Sequence, residues 1–175
     1  MLHRPGCTAR LSSVGTSFAD YRGHGFWAND GLLSVWLAAL ADVVAADAPP
    51  WLREAAEHWR EQAGVGFIGC VAAGLDRLLA SPQQAQTALS LAETASGYLA
   101  SLTDAAGYLP ASWLNDRHIS GETSWTSTNI RYDYVQQIAD AFTTLLRGEL
   151  QTTPATSPVL PRVSQQPPPP ADRSA

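Results

Sequence analysis

DGLLSVWLAALADVVAA, residues 30–46, decides the fold class of this chain. Its large apolar side chains recur at steps of three and four residues: Leu33, Trp36, Leu37, Leu40, Val43 and Val44. This spacing lines one face of an α-helix. Asn29 and Asp30 stand directly before it as candidate capping residues, because their side chains can accept hydrogen bonds from the first free backbone N–H groups. The stretch therefore predicts a first helix over 30–46.

Further helices are predicted downstream from local start and stop signals. Pro50 suits the first turn of a second helix, whose apolar stripe is Leu52, Ala55, Ala56, Trp59 and Ala63. Ser81-Pro82-Gln83-Gln84 has the form of a capping box and opens a helix that reaches about Leu102. A last helix runs from about Thr128 to Arg147 and is closed by Gly148.

Two segments between these helices are harder to assign. Residues 64–80, GVGFIGCVAAGLDRLLA, have helical spacing but four glycines, so we predict a third helix there, with a strand over 65–71 as the alternative. Residues 103–127 have no clear period, and we predict a long ordered loop anchored by Tyr108, Leu109, Trp113, Leu114 and Trp125. The predicted fold is all-α, a single-domain bundle of four to five helices.

The two ends of the chain differ from its middle. All fifteen aromatic residues lie between Phe18 and Phe142, and seven of the 12 prolines lie beyond Gln151. A Pro-rich segment without aromatics cannot bury enough apolar surface to offset its chain entropy. We therefore expect an irregular segment over 1–17, a helical domain over 18–150 and a disordered Pro-rich tail over 151–175.

The middle of the chain is acidic. Residues 20–150 carry fifteen carboxylates against seven arginines, a formal charge of −8. Such a field repels phosphate backbones, so we expect no nucleic acid as partner. No apolar run reaches the length of a membrane span, and the first fifteen residues lack the apolar run of a secretory signal. Cys7 and Cys70 show no metal or redox spacing. We expect a cytoplasmic protein that does not bind a membrane, with Cys70 in its core.

Chemistry-bearing patterns are incomplete. His58 shares a helix face with Glu54 and Glu61, but a zinc helix needs a second histidine where Gln62 stands. Gly64, Gly66 and Gly69 match the glycine spacing of a dinucleotide-binding fingerprint. That fingerprint requires a preceding strand, and a helical pattern precedes the glycines here. We therefore predict no cofactor, metal or catalytic residue. An enzymatic alternative is a hydrolase-like site in the 103–127 loop, built from His118, Asp116 and Glu122.

Recognition of another protein is the function that the residues favour. Aromatic and polar side chains concentrate before the first helix and around the start of the last one. A row of glutamates lies on the second helix, on the side away from its apolar stripe. Tyrosine, tryptophan and arginine are enriched at protein interfaces. The candidate partner-binding residues are Tyr21, Arg22, His24, Trp27, Asp30, Glu54, Glu57, Glu61, Trp125, Arg131 and Tyr132. The alternative is that Phe26, Trp27, Trp125 and Tyr134 close the ends of the bundle while Arg131 pairs with a carboxylate.

Three segments carry a resemblance to a known class of proteins. YRGHGFWANDGLL (21–33), PPWL (49–52) and VGFIGC (65–70) resemble segments of the small acidic immunity proteins that are encoded beside bacterial polymorphic toxins. The resemblance covers residues 20–147 and assigns no functional residue. It implies an inhibitor that covers a cognate toxin domain, which in this class is often basic. A further alternative is an adaptor that uses Pro158-x-x-Pro161 and Arg162 in the tail to bind an SH3-like domain.

Overall fold

The described part of the chain mixes helices with a small sheet. The computed structural model describes residues 15–65, 69–121 and 130–162. These residues form six α-helices and one mixed sheet of three short strands. The prediction of an all-α fold is therefore wrong. The strands lie before the first helix and after the last one, in segments without a helical period.

A β-hairpin precedes the first helix. β1 (Thr16–Tyr21) pairs antiparallel with β2 (His24–Asn29), with Tyr21 opposite His24. Arg22 and Gly23 form the two-residue turn with φ angles of 54° and 81°. Positive φ at both central positions is the pattern of a type I′ hairpin turn. Since β1 begins at Thr16, the ordered structure extends into the segment that we predicted to be irregular.

The third strand comes from the Pro-rich tail. β3 (Val159–Leu160) pairs parallel with Trp27 and Ala28 of β2. Upstream of it, the Gly25 N–H donates to the Thr152 carbonyl at 2.8 Å, and the Thr152 hydroxyl donates to the Gly25 carbonyl at 2.6 Å. Residues 151–162 are therefore held along β2, and the prediction of a disordered tail is wrong for them. Residues 163–175 lie outside the described part.

Four predicted helices are confirmed. They are α1 (Asp30–Asp42), α2 (Pro50–Ala63), a later helix over Pro82–Leu102 and the last one over Tyr132–Leu146. Asn29 caps α1 by accepting from the Leu32 N–H at 3.3 Å. The α1 helix ends four residues earlier than we predicted, and eleven of its thirteen residues are buried. It is the central element, because β2, α2 and the two later long helices all contact it.

The predicted third helix is reduced to one short turn in the described residues. Of residues 64–65 and 69–80, only Leu75–Leu78 is helical, and this turn is α3. Residues 66–68 of the predicted helix lie outside the described part. Residues 69–74 form neither a helix nor the alternative strand. They are held by α2 instead: the Trp59 indole N–H donates to the Ala73 carbonyl at 3.0 Å, and the Ala72 N–H donates to the Gln62 side chain at 2.7 Å. Cys70 is exposed here, so its predicted place in the core is also wrong.

The remaining helices are now numbered in chain order. Pro82–Leu102 is α4, and it carries the predicted capping box between Ser81 and Gln84. The predicted 103–127 loop contains a short helix, α5 (Ala111–Asp116), and a 3₁₀ turn over Ile119–Gly121. Leu109, Trp113 and Leu114 are buried as predicted, Tyr108 is half-buried, and Trp125 lies outside the described residues.

The last helix, Tyr132–Leu146, is α6, and it ends as the sequence predicts. Gly148 has a φ of 73°, its N–H donates to the Leu145 carbonyl, and the Glu149 N–H donates to the Thr144 carbonyl. This is the double hydrogen-bond pattern of a Schellman motif. The end of α6 therefore has a fixed geometry.

The core lies between α1 and the helices around it. Its largest fully buried side chains include Trp36, Trp59 and Phe142, and Trp36 meets Phe142 edge to face at 5.7 Å between ring centroids.

Among residues 15–65, 69–121 and 130–162, we find no helix with both the length and the apolarity that crossing a membrane requires.

Candidate functional site

Asp30 is buried and bonded within the molecule, so it is not part of an accessible binding surface. Its side chain is 6% exposed. One carboxylate oxygen accepts from the Ser17 hydroxyl at 2.6 Å, and the other accepts from the Gly69 N–H at 2.7 Å. The Ser17 oxygen in turn accepts from the Val71 N–H at 3.0 Å. This polar network joins β1, the start of α1 and the segment after α2.

Trp27 also serves the fold. Its indole N–H donates to the Pro154 carbonyl at 2.9 Å, and its backbone N–H donates to the Ser157 hydroxyl at 3.2 Å. Its ring packs against Phe18 with centroids 5.2 Å apart. The side chain that we predicted to bind a partner therefore holds the tail segment on β2.

The side chains of Arg131 and Tyr132 also form hydrogen bonds within the molecule. The Arg131 guanidinium makes two 2.9 Å hydrogen bonds to the Asp133 carboxylate, which raise the pKa of Arg131 together with the attraction between the two charges. This confirms the alternative that Arg131 pairs with a carboxylate. The half-buried Tyr132 hydroxyl lies 3.1 Å from the Ser96 carbonyl and also contacts Gln136, and burial raises the pKa of Tyr132.

The glutamates of α2 remain at the surface. Glu54, Glu57 and Glu61 are all exposed, on the side of the helix opposite the fully buried Trp59. We call these three residues the α2 acidic row. Glu54 pairs with Arg77 at 3.2 Å, both side chains being more than half exposed. Within the described part of the chain, neither Glu57 nor Glu61 forms an ion pair.

Three other predicted residues meet at a surface depression. Tyr21, Arg22 and His24 line it together with the end of α6, and its volume is about 320 Å³. We call it the arginine hollow, because Arg22 and Arg147 both line it. Its lining residues are Tyr21, Arg22, His24, Leu145, Leu146, Arg147, Gly148 and Leu150. An adjoining depression of about 370 Å³ shares four of these residues and adds the first two turns of α4 and Glu149.

A polar cluster that the sequence did not reveal lies between α1, α4 and α5. Arg117 donates to Asp42 at 2.5 Å and lies over the Trp113 ring at 4.5 Å, and the Trp113 indole N–H donates to the Tyr98 hydroxyl at 2.9 Å. Asp42 is a single charge in an apolar run, which was the available signal. Because each of these groups is paired, the cluster fixes the end of α1 against α5.

The described residues do not form the arrangement that the enzymatic or the metal-binding alternative requires. His118 and Asp116 are exposed, the structure records no hydrogen bond between their side chains, and Glu122 lies outside the described residues. The His58 ring is hydrogen-bonded to the Ala72 carbonyl at 3.1 Å. In the described ranges, no three histidine, cysteine or carboxylate side chains come together as metal ligands would.

The adaptor motif is partly occupied within the molecule. Val159 and Leu160, the residues between its two prolines, pair with β2. The Arg162 N–H donates to the Gln137 side chain at 2.9 Å. Binding of an SH3-like domain to this motif would therefore require the segment to leave β2 first.

Comparison with protein-family models, curated proteins and solved structures finds no match to this chain. Among the described residues, the α2 acidic row and the arginine hollow remain accessible at the surface.

Proposed function

We propose that this chain is a non-enzymatic protein-binding domain, an immunity protein that neutralises a basic bacterial toxin in the cytoplasm by covering it with the α2 acidic row. One observation carries the proposal. Glu57 and Glu61 stand one turn apart on an exposed helix face and have no ion pair within the described residues. The resemblance to immunity proteins and the charge of −8 over residues 20–150 support the same class of partner.

The row is held on a rigid scaffold. The opposite face of α2 buries Leu52, Ala55, Ala56, Trp59 and Ala63 against the core. The side chains of Trp59 and Gln62 also bond the chain that follows the helix. Because the backbone under the row does not need to be ordered on binding, little of the interaction energy is lost to ordering. Clustered charge of one sign accelerates the encounter with an oppositely charged partner.

An aromatic anchor for this surface stands at the start of the same helix. Trp51 is half-buried and lies three residues before Glu54, a spacing at which helical side chains are neighbours. Tryptophan beside charged groups is typical of residues that dominate binding energy. Trp51 takes the role that we predicted for Trp27, which is committed to the tail segment.

The proposal is tested by neutralisation in cells. Each protein encoded next to the gene of this chain is expressed alone and together with the full chain, and growth is measured. We expect one neighbour to be toxic alone and harmless with the chain. If no neighbour is toxic, or if the chain leaves its toxicity unchanged, the proposal is wrong.

Two matched variants assign the surface. Glu57→Lys with Glu61→Lys is compared with Glu93→Lys and Glu149→Lys, which change the net charge equally at exposed positions outside α2. We expect protection to be lost with the first pair and kept with the second, provided that both variants unfold at the same denaturant concentration as the original chain. Loss with both pairs, or with neither, would remove the α2 acidic row from the proposal.

A further inference from the structure

The arginine hollow concentrates positive charge on an acidic domain. Arg22 and Arg147 are two of the seven arginines between residues 20 and 150, and they line the same depression. Within the described residues, the Arg22 guanidinium forms no ion pair, and Arg147 reaches a carboxylate only at 3.9 Å, on the exposed Glu93. Both guanidinium groups therefore have hydrogen-bond donors left for a ligand.

The backbone positions of the two arginines are fixed. Arg22 has a φ of 54°, an unusual value for a residue with a side chain, and its N–H donates to the Asp76 carboxylate at 2.8 Å. The Tyr21 hydroxyl donates to the Leu79 carbonyl at 3.3 Å, and the Arg22 guanidinium lies 5.0 Å from the centre of the Tyr21 ring. Arg147 precedes the Schellman motif that closes α6. Such preorganisation lowers the entropic cost of binding.

The remaining lining matches an anion with an apolar body. No carboxylate is found among the described residues that line the hollow, whereas Glu149 lines the adjoining one. Leu145, Leu146 and Leu150 provide apolar contacts. The His24 Nδ1 atom is shielded from solvent, and no described residue forms a hydrogen bond with it. The first residues of α4 border the adjoining depression, and the positive end of that helix favours negative charge nearby.

We propose that the arginine hollow binds a small organic anion, a carboxylate or a phosphate attached to an apolar group. The anionic group accepts hydrogen bonds from Arg22 and Arg147, and the apolar group packs on the leucines at the end of α6. A volume of about 320 Å³ is at the lower end of the range for small-molecule sites. The site lies on elements other than α2 and does not depend on the proposed immunity function.

The test is titration of the full chain with four probes, followed by amide chemical shifts in NMR spectra. The probes are phenyl phosphate, benzoate, inorganic phosphate and benzyl alcohol. We expect saturable shifts at residues 21–24 and 145–150 with phenyl phosphate or benzoate, and none with benzyl alcohol. The tighter of the first two identifies the anionic group, and either order supports the site. Inorganic phosphate binding as tightly as phenyl phosphate would overturn the role of the apolar surface.

Two double variants assign the contacts. Arg22→Gln with Arg147→Gln should weaken the tighter probe at least about tenfold, which corresponds to about 1.4 kcal/mol. Arg53→Gln with Arg162→Gln removes the same charge from exposed positions elsewhere and should leave the affinity unchanged. If the first pair destabilises the chain, each of its single variants should still weaken binding about threefold. Absence of saturable shifts, or equal affinity in all variants, would overturn the proposal.

Discussion

Replacing Asp30 with alanine should cost stability. The carboxylate is 6% exposed and accepts hydrogen bonds from the Ser17 hydroxyl and the Gly69 N–H. In Asp30→Ala both donors lose their acceptor. We expect the free energy of unfolding to fall while the unfolding transition remains cooperative.

The magnitude follows from the two hydrogen bonds. A hydrogen bond to a charged group contributes about 1.5–3 kcal/mol. The Ser17 side chain is buried, so its donor loses the full amount, whereas Gly69 is exposed and water replaces part of its bond. Removal of a buried charge returns some desolvation energy. The expected loss is about 3 kcal/mol, a large part of the 5–15 kcal/mol typical of a domain.

Urea unfolding followed by tryptophan fluorescence measures this loss. Asp30→Asn keeps an acceptor oxygen and should lose less, about 1 kcal/mol. Asp76→Ala removes an exposed carboxylate that accepts one backbone N–H, and it should also lose no more than about 1 kcal/mol. A loss below about 1 kcal/mol for Asp30→Ala would refute the assignment of Asp30 to the fold.

Three further changes test local features. Ser81→Ala removes the capping box of α4 and should lower the free energy of unfolding by about 1 kcal/mol in urea. Gly74→Ala forces alanine to a φ of 65° with its Cβ 2.7 Å from the His58 ring, so the melting temperature should fall by several degrees, about 4 °C or more. Burial raises the pKa of Tyr132 in the folded chain, so as the pH rises the unfolded chain loses this proton before the folded chain does. The free energy of unfolding therefore falls as the pH rises from about 10 through the pKa of the folded state. Tyr132→Phe should reduce that fall, measured as urea midpoints at pH values of about 8 and 11.

The elements that the sequence predicts well carry their signals locally. Pro50 marks the start of α2, Ser81 and Gln84 mark the start of α4, and Gly148 marks the end of α6. Each of these signals depends on neighbouring backbone groups, so it does not require knowledge of the tertiary fold. The apolar stripe of α2 is confirmed residue by residue for the same reason.

The hairpin and the tail segment could not be predicted in this way. The turn is Arg22-Gly23, without the Asn-Gly or Asp-Gly pair that marks most tight hairpins. The buried positions of β1 include Ser17 and Ala19, which give a weak alternation of apolar and polar residues. Residues 151–162 are ordered through contacts with β2, more than 120 residues earlier in the chain.

The sequence predicted the α2 acidic row, whose exposure follows from helix geometry, and three residues of the arginine hollow, Tyr21, Arg22 and His24. The α2 acidic row follows from the period of its helix, whereas Asp30 and Trp27 have side chains that suit an interface and a buried network equally well. Arg147 was missed because only the tertiary fold brings the end of α6 beside the hairpin turn. The role of Trp51 at this surface was not predicted, because the helical period of α2 places this residue at the edge of the buried stripe.

The most direct test of the account is the association rate constant between the chain and the protein that it neutralises. We expect Glu57→Lys with Glu61→Lys to slow association at least about tenfold at low ionic strength, and the difference to shrink as salt screens the charges. Glu93→Lys with Glu149→Lys should change the rate by no more than about threefold. Equal slowing by both pairs, or an unchanged rate with the first, would contradict the claim that the α2 acidic row meets the partner.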